Sequence, residues 1–105
     1  MKKLLLSIAF LLPAMGMMAQ TQVKTAEGIL EGKDLSGITV FKGVPFAAPP
    51  VGNLRWKAPQ PVQKWQGVRE AKEFGPNPMQ EPIFGDMNFG TKKNSEDCLY
   101  LNIWT

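Results

Sequence analysis

Histidine is missing from all 105 residues, cysteine and tyrosine occur once each, and the one long apolar run is interrupted early by a proline. Without histidine, neither a Ser-His-Asp nor a Cys-His arrangement can be completed within the chain. Metal sites built on Cys and His spacing are excluded for the same reason. One cysteine cannot form an internal bridge, and the run Leu4–Leu12, broken by Pro13, is too short for a membrane span of about 20 residues. No Gly-x-Ser-x-Gly nucleophile elbow and no His-Gly-Gly-Gly run for an oxyanion hole is present.

The first nineteen residues have the composition of a targeting segment. Met1-Lys2-Lys3 is a positive leader, Leu4–Leu12 an apolar core, and Ala14-Met15-Gly16-Met17-Met18-Ala19 a small-residue exit, which together predict a signal peptide over 1–19 cut after Ala19. A lipid anchor on a bacterial-type leader needs a cysteine just after the apolar run, and the cysteine is at 98. The expectation is an exported protein without a membrane anchor, periplasmic or secreted. Removing Lys2 and Lys3 from the twelve basic residues leaves ten against nine acidic ones. Such near-neutrality lacks the footprint of a nucleic-acid binder.

From Thr21 to Gly43 the pattern is strand, turn, strand: Gln22–Thr25, Gly28–Gly32, a Lys33–Gly37 turn, then Ile38–Gly43. Glycine and Asp mark the turns, and the β-branched and aromatic run Ile38-Thr39-Val40-Phe41 suits a pleated surface. A small antiparallel sheet is expected. All prolines after Pro13 fall between Val44 and Pro82; each removes a donor and extends its predecessor, so this segment should be ordered irregular chain. Phe46, Val51, Leu54, Trp56, Trp65, Val68 and Phe74 would anchor it, and Gln66–Phe74 could hold a short strand or one helical turn. Residues 83–94 read as surface loop. In the closing run Leu99–Trp104 both faces are largely apolar, as in a strand covered on two sides.

Three side-chain groups invite a chemical reading. The acids Glu96 and Asp97 adjoin the last strand, and paired carboxylates can serve glycoside hydrolysis, yet neighbours on an extended chain point to opposite faces. A structural role is favoured, with Arg55 as the cationic partner because its planar fork can hold a carboxylate in two parallel hydrogen bonds. Cys98 lacks an activating histidine and reads as a small buried hydrophobe. The tryptophans and phenylalanines, scattered through a proline-rich segment, read as core anchors more readily than as a binding face.

Gly43-Val44-Pro45-Phe46-Ala47-Ala48-Pro49-Pro50-Val51-Gly52-Asn53-Leu54-Arg55-Trp56, then Pro59-Gln60-Pro61, Trp65, Gly67, Phe74-Gly75-Pro76 and Ser95–Trp104, resemble the N-terminal region of the type-B carboxylesterases, which belong to the α/β-hydrolase superfamily. The resemblance runs from about Thr21 to Thr105. It implies an α/β fold in which residues 20–105 are the N-terminal, truncated part of a hydrolase domain: a small antiparallel sheet, a proline-rich loop and a first strand of the central sheet. It also implies hydrolysis of small-molecule carboxylic esters through a serine acyl-enzyme, with a histidine base, an acidic orienter and backbone oxyanion donors, without a cofactor. All those groups map beyond Thr105, so no catalytic residue is assigned here and this chain alone is expected to be inactive. The alternative is a cholinesterase-like binding or adhesion protein that keeps the fold without the triad; a third is a small secreted β-rich module complete at residue 105. Oligomeric state has no signature in these residues.

The resemblance further implies an ion pair between Arg55 and Glu96 with a structural role. Many relatives read Phe-Gly-Pro-x-Cys-x-Gln and close a disulfide to the cysteine of the later motif; here Pro78 stands at the partner position. Cys98 is therefore expected to be free, and the loop before it to lack a closure worth about 2–4 kcal/mol. Phe84, Met87 and Phe89 lie in a loop that in relatives approaches the gorge, which makes them candidate substrate contacts.

Overall fold

A computed structural model describes residues 21–105 except Met87, Phe89 and Lys92. The expected signal peptide therefore lies outside the described residues, as do two of the three candidate substrate contacts. The strands are β1 (Gln22–Lys24), β2 (Ile29–Glu31), β3 (Lys33–Leu35), β4 (Ile38–Pro45), β5 (Val68–Glu70) and β6 (Tyr100–Trp104). They form two three-stranded sheets, ordered β1-β2-β5 and β3-β4-β6.

Two tight turns set the registers. Between β1 and β2, Thr25 Oγ1 accepts from the amides of Glu27 and Gly28, each at 3.2 Å, and β1 lies antiparallel with Gln22 opposite Glu31. Between β3 and β4 only Ser36 and Gly37 turn, with φ of 53° and 91°. Two successive positive φ values make the two-residue hairpin turn whose twist matches its strands. This corrects the five-residue turn expected over 33–37: so short a reversal leaves Lys33–Leu35 free to pair with Val40, Thr39 and Ile38.

The single antiparallel sheet expected at the N-terminus is also corrected. β5 joins β2 in parallel, with Ile29 opposite Val68, and resolves the Gln66–Phe74 ambiguity as a strand. A parallel partner cannot come from a hairpin; the chain reaches it only after passing through β4 and the proline-rich segment. That segment holds a single 3-10 turn, Gly52–Leu54, among the described residues.

β4 runs past its expected end at Gly43 to Pro45, through a bulge. Phe41 faces Ile103 and Val44 faces Leu101, so Lys42 and Gly43 together stand opposite Asn102. Gly43 takes the positive φ that such a site asks for, 66°, and its amide donates to Asn102 Oδ1 at 2.9 Å, a side chain replacing a missing ladder bond. The bulge also turns β4 toward the other sheet. Lys42 N donates to Ala71 O, and Ala71 N donates to Glu31 O, both at 2.8 Å. Ala71 thereby stitches the two sheets and is almost wholly buried, in a cluster with Leu30 and Phe41 that Val44 and Trp65 complete.

Of the seven proposed anchors of the proline-rich segment, Trp65, Phe74 and Leu54 are partly buried. Trp65 is held at both ends, its amide donating to Glu27 O and its indole Nε1 to Ile29 O, each at 3.0 Å. Phe46, Val51, Trp56 and Val68 are exposed, Trp56 completely at 101%. On β6, Leu101, Ile103 and Trp104 are exposed as well, so among the described residues this strand is covered along the β4 edge and open elsewhere.

Candidate functional site

The residues singled out above converge around the end of β4 and the approach to β6. Arg55 leaves the 3-10 turn in extended conformation and its Nη2 meets Glu96 Oε1 at 2.5 Å. The side chains are 57% and 42% exposed: this is a surface pair, in the class worth about 0.2–1 kcal/mol, and the penalty for an unpaired buried charge does not arise. The neighbouring acid has a different partner, the chain bending at Glu96. Asp97 Oδ1 accepts from Tyr100 Oη at 2.9 Å, and its amide donates to Ser95 Oγ at 3.1 Å. Burial, helped by Asp97, pushes the Tyr100 phenol above its ordinary range. Glu96 and Asp97 are thus engaged with different partners, which removes the shared-carboxylate reading.

Cys98 is a free thiol and only partly buried. It lines a recess together with Pro78, Phe74 and Asn102. The loop between them is closed by backbone bonds instead: Asn77 N donates to Lys93 O at 3.0 Å and Ser95 N to Asn77 O at 2.8 Å. Asn94 Nδ2 adds a bond to Gln80 O at 2.9 Å. Inside this neck lies a cavity of about 470 Å³ bordered by Pro82, Ile83 and Phe84. Phe84, the described member of the candidate substrate contacts, is exposed at its rim.

A second cluster was not legible beforehand. Lys72 Nζ binds Glu31 Oε2 at 2.5 Å and approaches Glu70 at 3.6 Å, while Gln22 Nε2 donates to the other Glu31 oxygen at 2.9 Å. The Lys72 hydrogen bond, followed by that of Gln22, holds the Glu31 carboxyl below its usual range; the same bond raises Lys72. Beside it, Lys42 Nζ sits 4.2 Å from the centre of the Phe74 ring and Arg69 lies 5.4 Å from that of Trp65. The bulge and the parallel pairing that assemble this cluster carry no short sequence motif.

These groups can position chain and hold charge, but no nucleophile is paired with a base here, in keeping with the absence of histidine. Comparison with known proteins identifies the family. Phenmedipham hydrolase of Pseudarthrobacter oxydans is 46% identical over 87 residues, covering 77% of this chain and 17% of that protein. Fumonisin B1 esterase of Sphingopyxis macrogoltabida is 45% identical over 83 residues, covering 77% and 15%. Among solved structures, a Geobacillus stearothermophilus carboxylesterase superposes with a TM-score of 0.70 at 44% identity, over 82% of this chain and 16% of that one. A PNB esterase gives 0.74 at 36% identity, over 80% and 18%. The chain therefore spans between 15% and 18% of the length of these relatives, and its two sheets correspond to part of an α/β-hydrolase fold. Residues 19–105 match the model of the carboxylesterase family, and the chain belongs to that family.

Proposed function

We propose that the natural protein is an exported hydrolase of small-molecule carboxylic esters that works through a serine acyl-enzyme, and that residues 21–105 supply scaffold to a site whose reacting groups lie elsewhere in the protein. The observation that carries this reading is the 46% identity to a named hydrolase together with a family match over 19–105. In such a mechanism a serine hydroxyl attacks the ester carbonyl while a histidine takes its proton. Backbone amides stabilise the oxyanion, the alcohol departs with that proton, and water releases the acid. None of these steps uses a residue of the described chain. Arg55 and Glu96 are assigned a positioning role, tying the proline-rich strap to the segment that leads into β6. Export is supported by the leader pattern of residues 1–19.

The test uses the full-length natural protein, recovered from periplasm or medium. It should begin at Gln20, hydrolyse p-nitrophenyl acetate, and be inactivated by a fluorophosphonate that labels one serine outside residues 21–105. Labelling of Ser36 or Ser95, or hydrolysis untouched by the reagent, would refute the serine mechanism. Absence of both hydrolysis and label would instead identify a binding protein that has lost the triad.

A further inference from the structure

The turn that follows the 3-10 segment carries a conformational cost that nothing among the described residues offsets. Arg55 has φ −61° and ψ 135°, Trp56 has φ 61°, and Lys57 N donates to Leu54 O at 3.3 Å. These values follow a type II turn, whose third position ordinarily takes glycine or asparagine because φ is positive there. A bulky side chain in that position is strained. Burial gives no compensation, since Trp56 is fully exposed. Trp65, the other tryptophan of the proline-rich segment, is by contrast partly buried and hydrogen-bonded to Ile29 O. Leu54 and Lys57, the first and last residues of the turn, also line an apolar recess of about 210 Å³ bordered by Pro50, Ala58, Pro59 and Leu99. A projecting indole and an empty apolar recess therefore lie at the same turn.

We propose that Trp56 is an anchor that docks into an apolar pocket on the remainder of the natural protein, and that the recess between Leu54 and Leu99 receives an apolar side chain from the same surface. The occupant follows from length. This chain spans 15% to 18% of its relatives, so most of the polypeptide of a family member lies outside these residues and is tethered to them. A tethered surface meets the turn at a high effective concentration, whereas a second copy must reach it by diffusion. Buried tryptophans dominate the energetics of such contacts, and docking would offset the backbone strain that the turn now carries. The Arg55–Glu96 pair fixes the turn to the segment leading into β6, the strand whose remaining edge is open among the described residues. The inference rests on the length of the family's members and not on the ester activity, so an inactive protein tests it equally well.

The full-length natural protein is treated with a limiting dose of N-bromosuccinimide, and the oxidised tryptophans are located by peptide mass spectrometry. Trp56 should react about tenfold or more slowly in the native protein than in urea-unfolded protein. Equal rates in the two states would overturn the proposal. The measurement is repeated on dilution, with the mass followed by light scattering. Protection that disappears as the protein dissociates would assign Trp56 to a contact with a second copy, and would overturn the proposal as well. Trp56→Gly separates strain from docking. Glycine relieves the positive φ, so the urea midpoint should rise if Trp56 projects into water and fall if an anchor has been removed from a packed pocket. A midpoint below that of the unsubstituted protein is expected, and an equal or higher one refutes docking. If Trp56→Gly yields no soluble protein, oxidation of the unsubstituted protein reads the same contact.

Discussion

Arg55 and Glu96 show how far a single pair can be argued from sequence. The guanidinium and the carboxylate are some forty positions apart, and their meeting at 2.5 Å follows from the extended strap that brings residue 55 back against residue 96. Both remain substantially in water, so their contribution is a few tenths of a kcal/mol to about 1 kcal/mol. A double-mutant cycle with Arg55→Ala and Glu96→Ala in the full-length protein should return a coupling of that size, shrinking in high salt. Zero coupling at low salt would deny the pair a positioning role. Sequence pattern could nominate Arg55 as the cation for one of two adjacent acids, Glu96 and Asp97, and left the choice of Glu96 to the family resemblance. It could not nominate Glu31 with Lys72, since nothing local reveals that β2 and β5 become neighbours.

Among the elements, β4 is the one whose expected form changed most. Ile38–Gly43 is legible as a strand because its residues are β-branched or aromatic, but the continuation through Lys42 and Gly43 depends on Asn102 from the far end of the chain. Gly43 is tested by comparison with Gly37. Both have positive φ, yet a Cβ at Gly43 would lie 2.6 Å from the Glu73 carbonyl oxygen, while one at Gly37 meets nothing within 4 Å. Gly37→Ala should therefore cost about 1 kcal/mol for its backbone conformation, and Gly43→Ala about 2–4 kcal/mol because the β4 junction must also shift. Denaturant midpoints of the two variants measure the difference, and equal losses would mean that the bulge yields easily. The 77–94 loop is similar in kind: its disulfide was legibly missing, but the paired backbone bonds at its neck involve no side-chain signature at all.

For the whole molecule, the apolar surface that remains is the main physical fact. Phe46, Trp56, Ile83 and Trp104 are more than half exposed, and β6 keeps one edge without a strand partner among the described residues. Contiguous apolar surface and open edges favour association. Residues 21–105 expressed alone should bind an apolar dye such as ANS strongly and elute larger than a monomer. A dye-silent monomer with a cooperative thermal transition would show that this surface is tolerated without cover. The sequence by itself determined the strands whose residue types favour a pleated surface, the irregular course of the proline-rich segment, the absence of histidine from these 105 residues, and the carboxylesterase kinship, because these depend on residue type and local order. Only the tertiary structure decided the parallel β2–β5 pairing, the bulge at Gly43 and the stitch through Ala71. Those arise where segments distant in the chain meet, and a contact between distant segments leaves no periodicity in either.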